Sequence, residues 1–315
     1  MKKIICALLA AVLIILPACT GNNAKDENAV GNTSYTFTDD TGNSVTVDNP
    51  RRVAALLGSY ADIWMLAGGT VCATADDAWD DFNLDLPDDA VNLGNTKKLS
   101  FELLLSAKPD FVIASANTAQ NVEWKTSLQN AGITVAYFDV SDFDDYLRML
   151  KICTDITGKS ENYEKYGTDL QSDIESILKS RVDEPEQTVL IMRASATSIR
   201  AKNSKNNVLG EMLANFNCVN IADKDEALLE NLSMESIALQ NPDKIFIVQS
   251  GDDTEGTKTN IEKTLGSNPL WNRLDAVKSG NVYYMDKRLF NLKPNAEWAT
   301  AYEKLEECLY GEAQS

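Results

Sequence analysis

Leu99-Ser100-Phe101-Glu102 leads through an apolar turn to Pro109-Asp110 and then to Phe111-Val112-Ile113-Ala114, and the pattern returns 133 residues later. There Leu232-Ser233-Met234-Glu235 leads, at the same spacing, to Pro242-Asp243 and Ile245-Phe246-Ile247-Val248. Each copy predicts a short helix that stops before a proline and turns into a buried strand. Serine is a good N-cap, and a glutamate in the first turn favours the positive end of the helix dipole. The residue before a proline is biased out of the α region, so the helices are expected to end near Lys108 and Asn241. The all-apolar runs after Pro-Asp suit strands of a parallel sheet covered on both faces. Met once, a helix–Pro-Asp–strand unit is a common device; met twice with Leu-Ser-x-Glu in register, it predicts two α/β lobes of similar plan.

The chain has 315 residues, 44% of them hydrophobic and 24% charged, which is enough for two domains with real cores. Its first residues stand apart from the fold. Lys2-Lys3, a nearly all-apolar run from Ile4 to Leu16, and then Pro17-Ala18-Cys19 form a secretory pattern too short to span a membrane as a helix. A cysteine directly after a small residue resembles a bacterial lipobox, with Cys19 as the lipidated N-terminus; Pro17 departs from the usual small or β-branched residue. Thr20 to Ser34 is polar and charged, a disordered tether that would hold a globular body off a membrane surface. The expected organisation is a signal peptide over 1–18, a lipidated tether over 19–34 and an N-terminal lobe over 35–140. A helical connection over 141–184 and a C-terminal lobe over 185–312 follow. The expected location is extracytoplasmic, lipid-anchored to the cell membrane.

Formal charge is −18, and −20 once Lys2 and Lys3 leave with the signal. Nucleic acid needs a basic footprint and is not an expected partner. The chain has no histidine, which removes the commonest metal ligand and general base, so neither an intrinsic metal site nor a cofactor is expected. Cys72, Cys153, Cys218 and Cys308 are widely separated with no Cys-x-x-Cys pair, and buried free thiols are their default reading.

Tyr35 to Thr38 and Val45 to Val47 alternate around turn residues and predict a β-hairpin. Val53 to Leu57 reads as a buried strand followed by a helix from Ala61. Open α/β sheets bind ligands beyond the carboxyl ends of their strands, which selects Ser59-Tyr60, the segment around Asn95, and Ser115-Ala116-Asn117 in the first lobe. In the second lobe the same rule selects Arg193 and Gln249. Between the lobes, Asp142 to Thr157 is amphipathic. Tyr163, Tyr166, Leu170, Ile174, Ile177 and Leu178 form a stripe that predicts one helix from Ser160 to about Val182, a rod of roughly 33 Å. A single long helix is a stiff connection, so any hinge between lobes should have small amplitude.

Taken in order, several segments resemble a substrate-binding lipoprotein of an ABC importer, of the helical-backbone class that serves ferric siderophores, cobalamin or haem. They are Asp39-Asp40-Thr41-Gly42, Pro50-Arg51-Arg52-Val53, Leu99 to Asp110, and Leu232 to Asp243. Asn268-Pro269-Leu270-Trp271, Ala276 to Tyr283, and Leu289 to Asn295 complete the series. The resemblance covers roughly residues 35 to 310. It implies an α/β fold of two lobes with central parallel sheets, joined by one long rigid helix, with a ligand cleft between them. It also implies a monomeric receptor, not an enzyme, that passes a small-molecule metal chelate to a permease dimer. In that family a glutamate on each lobe docks onto permease arginines; Glu102 and Glu235 occupy the matching positions.

Charge adds a second pointer. From Gln187 to Gly210 there is no acid, against Arg193, Arg200, Lys202 and Lys205; from Ala276 to Ala296 the only acid is Asp286, against Lys278, Lys287, Arg288 and Lys293. These segments predict a locally positive cleft for an anionic ligand, with Arg193 and Arg288 as planar donors to ligand oxygens. Tyr60, Trp79 and Phe290 are the candidate aromatic walls. A ferric siderophore is the expected ligand, cobalamin the alternative and haem third. Family members often carry histidine near Asn291, and without it a haem iron would need Tyr, Met or Cys. A chelatase-like enzyme also has two α/β lobes, but no histidine, activated nucleophile or phosphate loop supports one.

Overall fold

The structure, a computed structural model, describes residues 34–311; the signal segment, Cys19 and all of the tether before Ser34 lie outside them. Strands β1 (Ser34–Thr38) and β2 (Ser44–Asp48) form the expected antiparallel hairpin. Its turn is built on Asp39, which is 4% exposed and accepts from the backbone of Thr41, Asn43 and Tyr137. Burial alone would raise the Asp39 pKa, but these bonds together carry it below the ordinary carboxylate value. The hairpin is thereby pinned to the first lobe through one ionised side chain.

That lobe holds β3 (Val53–Ala55), β4 (Val71–Thr74), β5 (Val91–Asn92), β6 (Phe111–Ser115) and β7 (Thr134–Phe138), all parallel in the order β5-β4-β3-β6-β7. The second lobe holds β8 (Thr188–Ala194), β9 (Ile199–Lys202), β10 (Val219–Asn220), β11 (Lys244–Gln249) and β12 (Val282–Met285). Its order is β10-β8-β11-β12, with β9 antiparallel on β8. In both sheets the winding reverses between the first strand and the one that follows Pro-Asp, β3/β6 and β8/β11. Beyond the carboxyl ends of such a pair a crevice opens.

Both copies of the opening motif fold as expected up to the proline. Ser100 and Ser233 cap the helices Phe101–Ser106 and Met234–Gln240, accepting from the N–H groups of Leu103 and Ser236 at 3.2 Å in each case. The residue before each proline leaves the helix through the left-handed region, with φ of 51° at Lys108 and 41° at Asn241. This turns the chain sharply enough for proline to start the strand. The following aspartate then does the same work twice. Asp110 accepts from the N–H groups of Arg51 and Arg52, and Asp243 from the N–H and hydroxyl of Thr188. Each Pro-Asp clamps the start of its strand to the start of the neighbouring central strand.

The connecting helix differs from the expected straight rod. An α turn at Ser160–Tyr163 passes into a π turn at Glu164–Thr168 before Asp169–Ser180 resumes the α-helix. The widened turn coincides with two intrusions. Tyr146 donates its hydroxyl hydrogen to the Tyr166 carbonyl at 2.7 Å, and Gly167 packs so close to Leu147 that a Cβ would lie 3.2 Å from it. One apolar cluster runs from β3 and β6 through the helices Phe143–Thr157, Asp169–Ser180 and Trp298–Tyr310 to β8 and β11. Trp298 is fully buried at its centre, against Phe143 at 5.6 Å and Tyr146 at 6.4 Å. Separate clusters cover the outer face of each sheet. A core shared by both lobes resists large rotations between them. The four cysteines named above are free thiols.

Candidate ligand cleft

Beyond the β3 end, the helix Gly58–Leu66 starts against the short helix Asp77–Asp80. Only glycine fits at position 58, because a Cβ would stand 2.5 Å from the Ala78 nitrogen. The Gly58 N–H donates to Asp77 at 2.8 Å. This approach brings Asp76, Asp77, Asp80 and Asp81 to the wall of the crevice. A cavity of about 640 Å³ lies between Asp80 and Asp81 of the first lobe and Gln249, Asp252, Tyr284 and Lys287 of the second. An adjoining cavity of about 210 Å³ adds Asn95 and Lys97.

Lys287 spans the lobes, 2.6 Å from Asp81 and 2.6 Å from Asp252. Burial works against its charge, but the bonds it donates to these two carboxylates hold its pKa above the ordinary lysine value. Arg288 is a second strut. It lies 3.5 Å from Asp62 and 3.6 Å from Glu297, stacks 4.1 Å from the Phe82 ring centroid, and donates to the Lys293 carbonyl. Asn295 completes the joint, donating to Asp62 and to the Ser59 carbonyl.

Arg193 is placed differently. In the β8–β9 ladder it lies directly opposite Arg200, and Lys202 is two residues from Arg200 on the same face. Among the described residues Arg193 has no hydrogen-bond or ion-pair partner, and its Nε is buried without one. Burial lowers its pKa. The pKa of Lys202 is lowered by burial and then by Arg193 and Arg200; that of Lys293 is lowered by burial, with Arg193 adding and Asp139 and Asp145 opposing. The first acid-free segment is therefore an uncompensated cationic face, whereas Lys287 and Arg288 of the second are neutralised across the lobes.

Two expected aromatic walls are corrected. Tyr60 is 1% exposed, its hydroxyl donating to the Phe138 carbonyl at 2.9 Å, because the first helical turn aims it back at the central core. Phe290, 3% exposed, is drawn into the same core at the end of the helix Lys287–Phe290. Arg288, expected as a donor to ligand oxygens, is engaged as an interlobe strut by Asp62, Glu297 and the Lys293 carbonyl. Trp79 is half-buried on the Asp77–Asp80 helix. Asn95 and Gln249 line the adjoining cavities, Gln249 donating to the Gly251 carbonyl and the Thr254 hydroxyl. Asn117 is exposed at the β6 end and donates to Asp139 at 2.6 Å. Glu102 and Glu235 are exposed in the first turns of their helices. The Asp81–Lys287–Asp252 bridge was not anticipated; its signal was the acidic run Asp76 to Asp81, for which a basic segment far along the chain is the electrostatic complement.

Asp77 stores unfavourable energy in this wall. Burial, partly offset by the Gly58 N–H, and the nearby Asp76 and Asp81 push its pKa up from 3.8 to about 6. An acid with a higher pKa folded than unfolded costs stability once the unfolded chain ionises: nothing below pH 4, a growing cost from pH 4 to 6, and the full cost above. Asn at this position keeps the acceptor for Gly58 without the charge. Asp77→Asn is expected to stabilise the fold by about 2 kcal/mol at pH 7 and to have no effect near pH 3.5. Urea unfolding at both pH values checks this; an equal change at both would refute the ionisation account.

Comparison with known proteins agrees with this architecture. The family described as periplasmic binding protein matches residues 53–289, and the chain belongs to that family. "Putative ABC transporter substrate-binding lipoprotein YhfQ" of Bacillus subtilis is 24% identical, with 96% of each chain covered. The "Iron-uptake system-binding protein" of the same organism is 26% identical over 97% of this chain and 96% of its own. Staphylococcus aureus SirA, solved in complex with staphyloferrin B, superposes with a TM-score of 0.66 at 20% identity. That match covers 89% of this chain and all of SirA, and it carries the fold. Among the described residues no helix is long and apolar enough to cross a membrane.

Proposed function

We propose that the chain is an extracytoplasmic, monomeric receptor for an anionic ferric siderophore, held to the membrane by a lipid on Cys19, and that it hands the chelate to the permease dimer of an ABC importer. The observation that carries the ligand class is the face bearing Arg193, Arg200 and Lys202. Like charges directly opposite on paired strands are destabilising, and a buried guanidinium nitrogen without an acceptor costs more. An anionic chelate relieves both. Iron arrives and leaves inside its chelator, so the protein contributes shape and charge but no chemistry. The relatives named for substrate binding and iron uptake support the same reading. Glu102 and Glu235, exposed at equivalent places on the two lobes, offer the duplicated acidic contacts that a two-fold permease would engage.

The test is a titration of the protein, followed by tryptophan fluorescence, with ferric hydroxamates, ferric catecholates, ferric citrate-type chelates, cobalamin and haemin. Saturable submicromolar quenching by one ferric class, weakened by salt, is the expected result. Tight binding of cobalamin or haemin alone would overturn the siderophore reading. In cells, Glu102→Arg with Glu235→Arg is expected to stop uptake of that chelate and leave its affinity unchanged; unimpaired uptake would overturn the docking role.

A further inference from the structure

Of the six large apolar side chains exposed among the described residues, three lie on the two short helices that carry Glu102 and Glu235. Those helices are only six and seven residues long. Leu105 follows Glu102 by three residues and Leu239 follows Glu235 by four, so each leucine stands one turn behind its glutamate on the same face. Leu239 is 87% exposed, the most of the six; Leu105 is 38% exposed, and Leu103 adds a second exposed leucine beside Glu102. The rotation of each helix is fixed from beneath. Leu104 and Ile237, two residues after the glutamate in both copies, are fully buried in the cluster that covers the outer face of their own sheet. Single exposed leucines are ordinary on a protein surface. A leucine one turn behind the glutamate in both copies of a repeated helix is a pattern. An ion pair in open water is worth little, because both charges stay hydrated and screened. Interface anchors are strong where apolar neighbours exclude water around them. Each of these helices carries both parts.

We infer that Leu105 and Leu239, with Leu103 beside the first, are the apolar anchors of the permease-docking face, each entering an apolar recess next to the cation that its glutamate meets. This inference rests on the docking reading proposed above and names the chemistry of the partner surface: a cation rimmed by apolar side chains, presented twice. Two copies on one chain match a partner of two-fold symmetry. Charge disfavours the other occupants. With a formal charge of −18 the chain is repelled by a second copy and by an anionic bilayer, and either would set more negative charge against Glu102 and Glu235.

The experiment uses the full chain in cells that take up the chelate found by titration. Leu105→Ser with Leu239→Ser is expected to lower uptake by about tenfold or more, with chelate affinity and melting temperature unchanged. Val182→Ser, at an apolar residue 76% exposed outside these helices, is expected to leave uptake as it was. In parallel, the photo-crosslinker benzoylphenylalanine replaces Leu105, Leu239 or Val182 in turn, and the chain captured on irradiation is identified by mass spectrometry. This arm needs no chelate, so it decides even where none binds. A permease subunit is expected from the first two positions and not from the third. Unimpaired uptake in the double variant overturns the apolar anchors. So does crosslinking that captures no permease subunit, whether lipid or a second copy of this chain is captured instead. If Glu102→Arg with Glu235→Arg still stops uptake, the docking reading stands without the leucines; if that variant also leaves uptake unimpaired, both fall.

Discussion

Arg193→Met is expected to weaken binding of the ferric chelate by ten- to a hundredfold while leaving the fold as stable as before, or slightly more stable. The two halves of this result have one cause. The guanidinium is half-buried, lies opposite Arg200, and has no hydrogen-bond or ion-pair partner among the described residues. In the free protein it therefore contributes repulsion and an unmet donor, and a methionine of similar length removes both without opening a cavity. In the proposed complex the same group would give charge-assisted hydrogen bonds of about 1.5–3 kcal/mol, or roughly ten- to a hundredfold in affinity. A structural arginine would behave in the opposite way, losing stability and sparing affinity. Thermal melts beside the titrations distinguish the two. Unchanged affinity in Arg193→Met would remove the hairpin face from the site. Salt should reduce the wild-type affinity more than that of the variant, because the variant has given up part of the screened attraction.

Sequence reading went furthest where local chemistry and fold agree. Serine caps, first-turn glutamates, prolines and apolar runs each act over a few residues, so both copies of the opening motif, the hairpin and the parallel sheets could be read directly. The role of Asp110 and Asp243 was hidden, because their partners are backbone groups 59 and 55 residues away. The rule that ligands gather beyond strand ends selects one edge of each sheet but does not choose among the side chains there. Tyr60 follows a strand end as expected, yet one helical turn returns it to the core, while Arg193, near the end of β8 in the other lobe, has no side-chain partner among the described residues. The charge pattern picked out both basic segments and could not show that Lys287 and Arg288 of the second are neutralised. That outcome depends on Asp62 and Asp81, which lie 226 and 206 residues from Arg288 and Lys287.

That neutralised segment gives the largest expected effect on stability. Arg288→Ala is expected to destabilise the fold by about 3 kcal/mol, within the range for removing one member of a largely buried pair. Asp62 and Arg288 side chains are 15% and 22% exposed, so little water reaches the carboxylate left behind. Burial, opposed by Asn295 and Arg288, already raises the Asp62 pKa, and losing the arginine removes one of these two opposing contacts. The substitution also strips the cation from the Phe82 face and a donor from the Lys293 carbonyl. Because these partners lie on both sides of the crevice, the loss should loosen the joint between lobes as well as the fold. A double-mutant cycle separates the contributions. Asp62→Asn keeps an acceptor for Asn295 without the charge, so adding it to Arg288→Ala is expected to restore about 1–2 kcal/mol. Strict additivity of the two substitutions in urea unfolding would mean that the pair is not coupled, and the strut would then have to act through Phe82 and the Lys293 carbonyl alone.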